Sequence, residues 1–155
     1  MQNIIENVNY TLRCKLQILV SFLSQFNMGI DAVAEEIDNT NLKTAMIALA
    51  VESKQYAKEI SKQLEQFNVG GSTEFTDNVW KQIEAGIDEQ AGVTKGGEII
   101  ALCNNSENYF RKMYDDVLQE YLPYKNLKEI ITCQLFALQS AFMKIRLLNT
   151  LRFNM

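Results

Sequence analysis

Leu16, Leu19, Leu23, Phe26, Ile30, Val33 and Ile37 follow one another at alternating three- and four-residue steps, which keeps one side of a helix apolar. Leu42, Ala45, Leu49, Tyr56, Ile60, Leu64 and Phe67 continue the pattern, with Glu52 and Ser53 as its polar interruption. Asp38, Asn39, Thr40 and Asn41 separate the two stripes, a turn short enough to force antiparallel neighbours. The pattern predicts a helical hairpin whose first arm runs from about residue 12 to Ile37. The side-chain oxygen of Asn39 or Thr40 would cap the second arm, and Asn68-Val69-Gly70-Gly71 would close it. Before residue 12 the period persists through Leu12, Val8 and Ile5, but Asn7, Asn9, Tyr10 and Thr11 are weak helix formers, so a loose or partly helical arm is expected. Gly29 falls inside the first arm, where a glycine more often permits close packing than marks a site.

Three further helices follow. One spans about Thr73 to Glu89 and buries Val79, Trp80, Ile83 and Ile87. A break at Ala91-Gly92-Val93-Thr94-Lys95-Gly96-Gly97 precedes a helix to about Glu120 through Ile99, Cys103, Phe110, Met113 and Val117. Pro123 ends it, having no N–H and disfavouring a helical residue before it. The last helix runs from about Tyr124 to Leu151 through Ile131, Leu135, Leu138, Phe142, Ile145 and Leu148. No segment alternates with period two over a useful length, so no strand is expected. The prediction is one all-α domain over residues 1–155, with two antiparallel helical hairpins joined by a crossover helix. At 155 residues and 47% hydrophobic content, the chain can bury such a core without staples.

Composition removes several kinds of chemistry. There is no histidine, hence no imidazole base, Ser/His or Cys/His pair, or histidine metal ligand. Cys14, Cys103 and Cys133 are odd in number and far apart, which reads as reduced thiols without a disulfide framework. The opening MQNIIENVNYTLRCKLQ lacks the features of a secretory signal, and no uninterrupted apolar run approaches the ~20 residues of a membrane span. A net charge of -4 argues against non-specific attraction to nucleic acid or anionic lipid. The expectation is a cytoplasmic protein with no nucleic-acid or membrane partner. Lys125, Lys128, Lys144, Arg146 and Arg152 of the last helix read as a solvated face, because no aromatic platform accompanies them.

Asn27-Met28-Gly29-Ile30, Ala34-Glu35, Asn41-Leu42-Lys43 and Leu49-Ala50 ahead of Glu52 resemble the opening hairpin of a bacterial family of ferritin-like four-helix-bundle proteins of unknown function. Cys103-Asn104-Asn105-Ser106-Glu107-Asn108 is similar to that family's fourth-helix segment, with Asn108 in place of an Asp. Leu122-Pro123 and Gln134-Leu135 fit as well. The resemblance covers roughly residues 16 to 150, and it implies a ferritin-like four-helix bundle and no activity.

A ferritin-like di-iron site takes a Glu from each of two helices and a Glu-x-x-His from each of the other two. Here helix two offers Glu52 with Gln55 at the histidine position, and helix four offers Glu107. The central positions of helix five, Leu138 and Phe142, are apolar, and Gln25 and Asp31 of helix one are poorly placed. The expectation is a degenerate site without cofactor, in which Glu52, Gln55, Tyr56 and Glu107 hydrogen-bond among themselves or to water. A single weakly held cation between Glu52 and Glu107 is the minor alternative. Cys103, with Glu107 one turn away and no cationic neighbour in sequence, reads as a buried small hydrophobe.

Ile18, Val20 and Phe22 widen the apolar arc of helix one. Burial under the N-terminal arm or crossover helix would explain them, as would a homodimer face centred on Ile18 and Phe22. The functional expectation is a non-catalytic, homo-oligomeric structural or interaction module. A metal-binding oxidoreductase or metal-storage protein with atypical ligands is the alternative.

Overall fold

The structure, a computed structural model, describes residues 2–65, 79–90 and 96–153, with the side chains of 10–65, 79–87 and 96–153. Among these residues five helices follow in order: α1 (Gln2–Glu35), α2 (Thr40–Leu64), α3 (Val79–Gln90), α4 (Gly97–Leu118) and α5 (Lys125–Leu151). The described residues are all-α and contain no strand. Helix α1 starts at Gln2, about ten residues before its expected beginning, so the apolar period through Leu12 outweighs the weak propensities of Asn7 to Thr11. The expected ends at Asn68 to Gly71 and Thr73, and the contribution of Phe67, lie outside the described residues.

Local chemistry sets the boundaries. The Asn39 side chain accepts from the Leu42 N–H at 3.0 Å, satisfying one of the free donors of the first turn of α2. Gly96 precedes α4 in the left-handed region, at φ 75°. A Cβ there would also meet the Asn149 and Phe153 side chains at 2.7 Å, so only glycine fits on both counts. Tyr124 is extended after Pro123, and its carbonyl accepts from Leu127 N to begin α5.

Contacts along the helices give their directions. Asn27 donates to the Ala50 carbonyl, as two arms of a hairpin must if they run antiparallel. Lys15 in the first half of α1 reaches Glu120 beyond the end of α4 at 2.7 Å, and Phe22, two turns further on, meets Phe110 within α4, so these helices are antiparallel too. Arg146 meets Asn104 while Gln134 meets Tyr114, which sets α5 antiparallel to α4; Ala45 and Glu52 lie beside Ser140 and Lys144 while Glu59 lies beside Asn126 and Gln134, which sets α5 antiparallel to α2. Helices α2 and α4 therefore run in the same direction, and the connection between them must return along the length of the helices. Helix α3 lies on that connection and packs on α4 and α1.

The centre is aromatic. Phe26 and Phe110 meet edge to face at 5.0 Å, Phe26 and Phe142 do so at 5.7 Å, and Phe22 and Phe110 lie 4.4 Å apart. Phe22 is 1% exposed, so it belongs to the core and not to an outer flank of α1, while Ile18 is half-buried. The Ile18–Phe22 pair expected as a dimer face is thus divided: its larger member is spent on α4. The twofold-wide arc was a sign of burial under a neighbouring helix.

By length and composition alone, two helical stretches, Tyr10–Glu35 and Lys125–Leu151, are long and apolar enough to cross a bilayer. In α1 the apolar residues largely line the core, whereas α5 also carries an exposed apolar strip.

Gly29 sits directly beneath the Trp80 indole, and a Cβ there would overlap the ring. Helix α3 can approach α1 only because that Cβ is missing. Gly29→Ala should therefore lower stability by about 1–3 kcal/mol, although alanine gains ~1 kcal/mol in helix propensity. Urea unfolding checks the energy, and a red shift of the single tryptophan's emission would report that Trp80 has been displaced. Unchanged stability and emission would contradict the packing.

Candidate functional site

The interior at mid-height is where ferritin-like ligands would be sought, and the inward positions there are small or aromatic. On α2 the inward residue is Ser53, fully buried, its hydroxyl donating to the Leu49 carbonyl at 2.8 Å. Glu52, one residue earlier, is turned by about 100° around the helix to the seam with α5. On α4 the buried residue is Ser106, and Glu107 turns outward to Arg146, with an ion pair of 2.8 Å. Arg146 also donates to Asn104 Oδ1 at 2.9 and 3.1 Å. Gln55 is exposed. Leu138 and Phe142 face the core, as their apolar spacing predicts.

The expected set of Glu52, Gln55, Tyr56 and Glu107 is consequently not brought together. Glu52 keeps Tyr56 as a hydrogen-bond partner, but Glu107 is held by Arg146 and Gln55 stands apart. A three-residue spacing is compatible with one helical face; it does not say which face. On helix one, Gln25 bonds Ser21 Oγ at 3.2 Å and accepts from Trp80 N at 3.3 Å, and Asp31 is exposed. Among the described residues no three of His, Cys, Asp or Glu converge as a metal would require.

A different polar chain runs from the core to the α2–α5 seam. Tyr114, fully buried, donates to Gln134 Oε1 at 2.8 Å. Gln134 in turn donates to Glu59 Oε2 at 3.0 Å and approaches the Tyr56 carbonyl at 3.4 Å. Glu52 and Glu59 flank Tyr56, whose phenol is pushed up to about 12, first by burial and then by those two carboxylates. Burial likewise drives Tyr114 well above the ordinary phenol value, reinforced by Tyr56 and Glu59. Tyr56 and Ala137 line both of two shallow pockets on this seam, of about 300 and 350 Å³. The arrangement satisfies polar groups that would be costly to bury alone, and both phenols stay protonated at neutral pH.

Sequence reasoning named Tyr56 and Gln134 but missed Tyr114 and Glu59. Part of the signal was present: Glu52, Tyr56 and Glu59 stand at i, i+4 and i+7, on one face of α2. What the chain could not reveal was that Gln134, from the antiparallel α5, reaches that face. Cys103 also gains a neighbour invisible in sequence, Arg146, which lowers its pKa. Burial outweighs this and, with Glu107, raises the thiol to about 12, so it is a protonated core residue.

Compared with protein-family models, curated proteins and solved structures, the chain shows no match.

The network gives a pH dependence with a definite sign. A phenol whose folded pKa exceeds its unfolded value of about 10 contributes stability that is complete below pH 10 and is lost as pH rises through the folded value. For Tyr56 that upper limit is about 12. Ultraviolet difference titration should show phenolate absorbance still rising near pH 12, and Tyr56→Phe should remove part of this late rise. The same variant should make the alkaline fall in Tm shallower. A titration finished well before pH 12 would refute the assignment.

Proposed function

We propose that the protein is a cytoplasmic, homo-oligomeric structural or interaction module with a ferritin-like four-helix-bundle fold and no catalytic role. The fold reading is supported by the two antiparallel pairs, α1 with α2 and α4 with α5, and by the parallel course of α2 and α4 across a connection that carries α3. Helix α3 covers the α1–α4 side, which suits a crossover helix.

The observation that carries the functional reading is the filling of the interior. Phe26, Phe110 and Phe142 meet in the interior where ferritin-like carboxylates would be sought, and the buried residues beside Glu52 and Glu107 are Ser53 and Ser106. Replacing those rings by hydrated ions would need carboxylates facing inward on at least three helices. Here Glu52 and Glu107 are turned off that register and have Tyr56 and Arg146 as partners. Cys103 and the two shifted phenols are protonated at neutral pH, so none of these three is an activated nucleophile.

Protein purified without added metal should hold less than about a tenth of an equivalent of iron, manganese or zinc after dialysis, and chelator should leave its Tm unchanged. Near-stoichiometric metal that survives dialysis, together with a chelator-induced fall in Tm, would replace this reading with a metal-binding or metal-storage one.

A further inference from the structure

Helix α5 has two apolar stripes. The inward one contains Leu127, Ile131, Leu138, Phe142 and Ile145. On the opposite side Phe136, Met143, Leu147 and Leu151 are 72%, 70%, 58% and 47% exposed. With Cys133 and Ser140 they occupy positions 133, 136, 140, 143, 147 and 151, a succession of three- and four-residue steps like the seam of a helix pair. The strip extends about 27 Å along the helix at 1.5 Å per residue. Among the described residues, neither of α5's packing neighbours, α2 and α4, covers it.

We propose that this strip is the self-association surface of the protein, and that it pairs with α5 of a second copy in an antiparallel two-fold dimer centred on Ser140. The proposal rests on the homo-oligomer reading above and names its surface. Three features favour a second copy as occupant. The first is area. The four apolar side chains expose roughly 450 Å² together, about the apolar share of the ~800 Å² that each partner buries in a standard interface. The second is self-complementarity, which a two-fold axis demands. An axis at Ser140 sets Phe136 opposite Lys144 of the second copy and Leu147 opposite its Cys133, each contact occurring twice. Lys144, exposed beside the strip, can then lie on the face of that phenyl ring, where a cation is attracted. The third is the crossing point. A serine at the centre lets two helix backbones come close, toward the lower end of the 8–10 Å interaxial range.

Sedimentation and a cross-link test this on the full chain. Wild-type protein should be a dimer at micromolar concentration. Phe136→Lys/Leu147→Lys should weaken the dimer about 100-fold or more while keeping the helical circular dichroism, since both residues are exposed and outside the core. In a Cys133→Ser background, Ser140→Cys should form a disulfide-linked dimer on mild oxidation, because the two Cα atoms at the axis fall within bridging distance; Cys133→Ser alone should not. A dimer that persists in the double-lysine variant and fails to cross-link through position 140 would overturn this surface and leave the homo-oligomer reading in place. A monomeric wild type would overturn both. A monomer that co-sediments with phosphatidylserine vesicles would assign the strip to a membrane surface and equally overturn the proposal.

Discussion

The packing of Phe22, Phe26, Phe110 and Phe142 at the centre is the constraint from which the remainder of this structure follows. Phenyl rings avoid a face-to-face sandwich and settle into tilted and edge-on contacts, and such a cluster needs volume inside the bundle. The buried residues of α2 and α4 next to Glu52 and Glu107 are small, Ser53 and Ser106. Phe110 touches the rings of α1 and α5 at once, so it links the two hairpins. Trp80 joins the same cluster through Phe26 at 5.8 Å, and the bare backbone at Gly29 is what admits it. The position of α3 is thereby tied to the same rings.

Once Ser53 and Ser106 face inward, the fate of the neighbouring carboxylates is fixed by helix geometry. Each residue advances about 100° around the axis, so Glu52 and Glu107 must lie toward a seam or the surface. There they find partners of modest strength. The Glu107–Arg146 pair is partly exposed, and an exposed ion pair of this kind contributes ~1 kcal/mol or less. The chain from the buried Tyr114 through the buried Gln134 to the half-buried Glu59 is a second device, which orders the α2–α5 seam because Tyr114 and Gln134 would be unsatisfied alone.

Much of this was legible in the chain. The three- and four-residue spacing located every helix, Asn39 announced the start of α2, Pro123 separated α4 from α5, and Gly29 was expected to allow close packing. The site was less legible, because the choice between Glu52 and Ser53 as the inward residue is a rotation of one position. Periodicity across a stripe interrupted by two polar residues does not resolve it. Phe22 failed for a related reason: a broad apolar arc shows that a helix is buried on two sides, and the second side here was α4 of the same chain. Contacts such as Arg146 with Glu107, and Gln134 with Glu59, join residues 39 and 75 positions apart and leave no local trace.

The central claim is that aromatic packing, and not a carboxylate centre, holds the interior together. Equilibrium urea unfolding of two variants in parallel tests it most directly. Phe110→Ala should cost about 3–5 kcal/mol, as expected for a large ring removed from a tightly packed core, whereas Glu52→Gln/Glu107→Gln should cost about 1 kcal/mol or less. The reverse order, with the carboxylate pair costing more than the ring, would contradict the account.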